Sequence, residues 1–163
     1  MEVSLSKVDD WVCVGGTDEE SESGETKNEP DRGKLHLSLE GQEVDRKSLR
    51  AVTGKTTDWN EIAKDCIAFA NATGGRLLLG IEDDQEQPPA DQRIPADLPD
   101  TVRRKLAERT VNVAVLPDVV TALNGGQYIE LRIPRTMAVA STTDGRYFLR
   151  VADQNKPVTG DDV

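Results

Sequence analysis

Between Asp58 and Asp84 the hydrophobic period of the sequence changes once, and the change falls on a pair of glycines. Before the pair, Ile62, Ala63, Cys66, Ile67 and Ala70 recur at helical spacing. They follow Asp58-Trp59-Asn60-Glu61, in which Asp58 is placed to cap a helix and Glu61 to reach back to the cap. After the pair, Arg76-Leu77-Leu78-Leu79-Gly80-Ile81 is a short apolar run of the kind a central strand covered on both faces requires. Gly74-Gly75 ends the helix, since glycine takes the left-handed conformation without a side-chain clash. A helix and a strand this apolar, joined this tightly, bury themselves by packing in layers.

The remaining elements follow the same logic. Residues 99–110 read as a second helix, with Pro99 in its first turn and Leu98, Val102 and Leu106 along one face. Val119 to Leu123 and Gln127 to Pro134 flank Asn124-Gly125-Gly126 as a hairpin, because Ile129, Leu131 and Ile133 alternate with Tyr128, Glu130 and Arg132. Tyr147 to Val151 forms a further strand after the Asp144-Gly145 turn. Near Lys34, Leu35, Leu37 and Leu39 alternate with His36, Ser38 and Glu40 as a half-buried strand, which leaves His36 on the surface. The expected fold class is α/β in the α+β sense: a mixed, mostly antiparallel sheet with at least two helices packed on it.

Residues 16–33 contain no large apolar side chain and cannot bury enough surface to offset the entropy of ordering. Residues 1–33 therefore read as an acidic, largely disordered leader, with a short strand available in 3–14, and residues 34–163 as one domain. Thr159-Gly160-Asp161-Asp162 has the spacing of a helix cap with no helix behind it, so the domain is expected to be the N-terminal part of a longer protein.

The net charge of -10 taken alone argues against nucleic acid as a partner, but the leader holds ten acids and three bases, whereas residues 34–163 hold twenty and seventeen. Local patches of Lys and Arg therefore decide the question. No apolar run is long enough to span a membrane and the N-terminus is acidic, so the default is a soluble cytoplasmic protein without a membrane partner. Aromatic residues make up 4% of the chain, which argues against a large aromatic cofactor pocket. Cys13 and Cys66 lack metal spacing, and Cys66 reads as core filling.

Three segments together resemble a known family. Glu40-Gly41-Gln42-Glu43-Val44-Asp45-Arg46-Lys47, the stretch from Ile62 to Asp84 and Tyr147-Phe148-Leu149-Arg150-Val151 look like the Schlafen-type Alba-like domain, over about residues 34–163. The most specific part is Ala68 to Asp84, where an Ala-Phe-Ala-Asn helix end, a glycine pair, an apolar strand and an acidic turn come in the family's order. The resemblance implies a DNA-binding module of a bacterial transcriptional regulator or RecG-related helicase protein, able to form a homodimer and needing no cofactor for binding.

Cleaving members of the family imply an alternative, a metal-dependent endoribonuclease. Carried over by position, Glu40, Asp45 and Asp83 would then be catalytic and would hold Mg²⁺ or Mn²⁺, hard cations that take oxygen ligands. The pattern departs where the family's Glu-Phe-Lys reads Asp45-Arg46-Lys47, so binding without catalysis is preferred. Arg46, Lys47, Arg146 and Arg150 are the expected contacts to DNA or RNA phosphates. Arg103-Arg104-Lys105 reads equally well as a solvated helix face. Thr53-Gly54-Lys55-Thr56 lacks the glycine that a phosphate-binding loop needs at position 49, and reads as a link before the first helix. A third alternative is a protein-assembly module whose acidic leader blocks nucleic acid.

Overall fold

The computed structural model describes residues 43–158. The leader, the strand expected at Leu35–Leu39, Glu40 and the terminal cap spacing lie outside the described residues. The elements run in chain order as β1 (Val44–Lys47), a 3₁₀ turn (Leu49–Ala51), α1 (Trp59–Asn71), β2 (Gly75–Leu79), α2 (Leu98–Ala107), β3 (Thr110–Val111), β4 (Leu116–Thr121), β5 (Gln127–Ile133), β6 (Ser141–Thr142), β7 (Tyr147–Val151) and β8 (Gln154–Val158). The main sheet has the order β1-β2-β5-β4, and β3–β6 and β7–β8 form two small ribbons. Among the described residues only the β1–β2 pair is parallel. The mixed, mostly antiparallel α+β architecture is the one expected.

α1 begins as its sequence dictates: the Asp58 carboxylate accepts the Glu61 backbone N–H at 3.1 Å. The Glu61 side chain does not return to the cap and instead pairs with Lys64 one turn on. Ile62, Cys66, Ile67, Phe69 and Ala70 are buried, with Leu77 and Leu79 of β2, Ile129, Leu131 and Ile133 of β5, and Val102 and Leu106 of α2 in the same cluster. α1 also contacts β7, so this helix is the centre of the core rather than a surface helix.

The glycine pair does two different jobs. Gly74 sits at φ 82°, where a Cβ would lie 2.8 Å from the Ile133 carbonyl oxygen. Gly75 has ordinary dihedrals, but a Cβ there would enter the Phe69 ring and approach the Glu43 carbonyl oxygen to 2.8 Å. β2 is the central strand expected, although it stops at Leu79 and Leu78 on its second face is only half covered. β1 is locked to β2 by Arg76 N–H to Glu43 O and Gly80 N–H to Lys47 O, both at 2.8 Å.

Two differences from the sequence reading have clear causes. α2 ends at Ala107 rather than 110, where Arg109 and Thr110 turn the chain into β3. β8 was not anticipated, because Asn155, Lys156 and Pro157 are poor strand formers and the turn before it uses Ala152 at φ 56° in place of a glycine. Among the described residues no helix is long and apolar enough to cross a membrane.

Candidate nucleic-acid interface

The alternation of β1 decides where its charged residues point. Asp45 and Lys47 are in register with Leu77 and Leu79, so they face α1, while Val44 and Arg46 pair with Arg76 and Leu78 on the other face. On the helix side the Lys47 ammonium lies 3.3 Å from Asp45 Oδ2 and 3.4 Å from Asp65 Oδ2. Arg150 Nη1 donates to Asn155 Oδ1 at 3.1 Å and lies 3.8 Å from Asp45 Oδ2. Asn155 Nδ2 in turn donates to Asp65 Oδ1. The Arg150 guanidinium stacks over the Phe69 ring, 4.9 Å from its centroid.

This knot joins β1, α1, β7 and β8 through two acids and two bases. Burial pushes the Asp65 carboxyl up to about 6, helped by the Asp45 charge and opposed by Lys47 and Asn155. Burial alone would depress Lys47, yet the Asp65 and Asp45 carboxylates outweigh it and its ammonium is held above the usual range.

The expected cationic strip divides on this geometry. Arg150 is 4% exposed and Arg46 7%, so both guanidiniums belong to the interior, and Arg150 is not at a sheet face or edge open to a ligand. The cause is the parity of β7: Phe148 and Arg150 point inward, whereas Tyr147, Leu149 and Val151 point out. Lys47 is partly exposed but sits between two carboxylates. Arg146 is on the surface, with 69% of its side chain exposed.

The acids are also separated in role. Asp45 is engaged by Lys47 and Arg150, Asp83 is exposed in the loop after β2, and Glu40 lies outside the described residues. Among the described residues no group of three His, Cys, Asp or Glu side chains is placed to hold a metal ion. A divalent ion arriving at Asp45 would have to displace two cations already there, so the described residues do not by themselves fit one.

A different set of cations converges at a notch of about 340 Å³ between the start of α1 and the β6–β7 turn. Lys64 comes from α1, Arg109 from the segment after α2, and Arg146 from the β6–β7 turn. Thr143 N–H donates to the Arg109 carbonyl oxygen at 3.2 Å, and Arg146 N–H donates to Thr142 Oγ1 at 2.9 Å, which fixes the two arginines' backbones beside each other. Lys64 Nζ lies 5.9 Å from the centroid of the Phe148 ring at the notch wall. Asp144 is the acid of this lining; hydrogen bonds from Thr142 and Arg146 hold its carboxyl below the usual range.

Sequence reasoning identified Arg146 but missed Lys64 and Arg109, which no periodicity connects. Arg103 is matched by Asp100 at 3.2 Å, Arg76 by Glu130 at 3.2 Å and Arg132 by Asp118 at 3.9 Å. The notch cations have acidic partners too, Lys64 in Glu61, Arg109 in Glu108 and Arg146 in Asp144; what distinguishes them is that they line one notch together.

A family model described as Schlafen, AlbA_2 matches residues 40–159. No curated protein matches the chain. The crystal structure of the DIP2311 protein from Corynebacterium diphtheriae is similar in fold, with 24% sequence identity and a TM-score of 0.50. The likeness covers 72% of this chain and 22% of that one, so the chain spans about a fifth of that protein's length.

Proposed function

The chain belongs to the Schlafen AlbA_2 family, and from that premise we propose that it is a nucleic-acid-binding module that grips phosphates with Lys64, Arg109 and Arg146. The observation that carries the reading is the convergence of these three cations, from three separate elements, on one notch with a single acid in its lining. Phosphate contacts of this kind position a protein on a strand without reading its sequence. The partner proposed is DNA, and the context proposed is a longer bacterial regulator or RecG-related protein. Catalysis is not part of the proposal.

Three phosphate contacts predict that the logarithm of the association constant falls with the logarithm of salt concentration at a slope of about −2.7 on duplex DNA, or about −2.1 on a single strand. Fluorescence anisotropy with labelled duplex and single strands across a salt series measures it. Arg146→Glu should weaken binding to all sequences alike and make the slope shallower by about one phosphate's worth. No uptake at low ionic strength, or full affinity in Arg146→Glu, would refute the reading.

A further inference from the structure

We infer that the notch takes the terminal phosphate monoester of a nucleic-acid strand, in preference to the phosphodiesters along it; the inference rests on the nucleic-acid reading above. The shape is the first reason. Walls formed by α1, the segment after α2 and the β6–β7 turn surround the site, so a tetrahedral group with several free oxygens can meet cations from several sides. A phosphodiester keeps only two unesterified oxygens, and its chain must continue in both directions.

The charge is the second reason. Lys64, Arg109 and Arg146 are each paired with one acid, Glu61, Glu108 and Asp144, so the site is formally near neutral and a ligand has to compete with those carboxylates for the three cations. A monoester carries about −1.5 to −2 near neutral pH, whereas a diester carries −1, so the monoester competes better with those carboxylates for the cations. The third reason is donor supply. Asp144 engages Arg146 through Nε and Nη2, and Arg109 spends Nη1 on the Lys105 carbonyl oxygen and Glu108. Arg146 Nη1 and Arg109 Nη2 have no such partner among the described residues, so each arginine can donate to a ligand without breaking the pair that holds it. Guanidinium donors to phosphate oxygens are the stronger, charge-assisted kind of hydrogen bond.

The test uses one oligonucleotide sequence with a 5′-phosphate, a 3′-phosphate or hydroxyls at both ends, with inorganic phosphate and adenosine monophosphate as competitors. One phosphorylated end should bind about tenfold more tightly than the hydroxyl form, and which end it is identifies the source of the monoester. Arg146→Glu should abolish that preference, and Asp144→Asn, which removes the acid from the lining, should enlarge it. Thermal melting of both variants establishes that they fold. Equal, salt-dependent binding of all three strands overturns the inference and leaves the nucleic-acid reading standing. Absence of binding by any strand overturns both. Saturation by adenosine monophosphate with no preference among strand ends also overturns it, in favour of a small phosphate ligand.

Discussion

Asp65 gives the sharpest test of how the charged knot behaves. Its carboxyl is 3% exposed on α1, faces Lys47 and Asn155, and is raised from its ordinary 3.8 to about 6. A folded-state value above the unfolded one means that the native chain holds a proton the unfolded chain has already lost. Stability therefore falls as pH rises through the interval between the two values, despite the nearby ammonium. A rise of about two pH units at 1.36 kcal/mol each amounts to roughly 3 kcal/mol, of which about 2 kcal/mol disappears between about pH 4.5 and pH 7. That is a large part of the 5–15 kcal/mol typical of a domain.

The perturbation that isolates this contribution is Asp65→Asn, which keeps the oxygen that accepts from Asn155 and removes the titration. Urea unfolding of both proteins at matched pH values gives a difference in which the shared carboxylates cancel. The wild type should lose about 2 kcal/mol relative to the variant on going from about pH 4.5 to pH 7. A flat difference, or a wild type that gains on the variant with rising pH, would mean that Lys47 overcomes burial, and the account of the knot would be wrong. A buried ion pair would then be the stronger contributor that such pairs seldom are.

Three further outcomes follow from the packing. Gly75→Ala should destabilise the fold by roughly 1–3 kcal/mol in urea midpoints, because the new methyl meets both the Phe69 ring and the Glu43 backbone. Asn71 at the end of α1 donates to the Ala140 and Phe148 carbonyl oxygens, each at 2.9 Å, and accepts from the Ala140 N–H at 2.8 Å. Asn71→Asp keeps the acceptor but turns a carboxylate toward two carbonyls, and thermal melting should show a loss of about 3 kcal/mol or more; a neutral result would contradict those bonds. Cys66 is fully buried and its thiol is pushed far above the usual range, so in a Cys13→Ser background a thiol reagent should label it only as fast as the chain unfolds. Rapid labelling of the native protein would show that α1 opens locally.

What was legible in the sequence was whatever a single element determines. The Asp58 cap, the α1 face, the left-handed Gly74 and the Ile129, Leu131, Ile133 alternation each follow from local periodicity or one residue's conformational range, and each is found in place. β8 was not legible, because a ribbon strand of Asn, Lys and Pro is made by its pairing with β7 and by nothing in its own composition. The Asn71 side chain was visible only as part of a family motif; its bonds to residues 140 and 148 lie 69 and 77 positions away.

Arg150 shows why the candidate site was harder still. Tyr147, Leu149 and Val151 are as apolar as a core face requires, so alternation alone turns β7 with its arginine outward. The opposite parity wins because Phe148 joins the core while Arg150 meets Asp45 from β1, Asn155 from β8 and the Phe69 ring from α1. None of those partners is near it in sequence apart from Asn155. A charged residue is tolerated inside only where such partners converge, and convergence is a property of the assembled fold. The same argument runs in reverse for the notch. Lys64, Arg109 and Arg146 each pair with an acid one to three residues away, which keeps them at the surface, and tertiary folding then brings the three together. Basic residues with local acidic partners are thus the better candidates for reaching a ligand in this chain, and those whose partners are distant are the ones that hold it together.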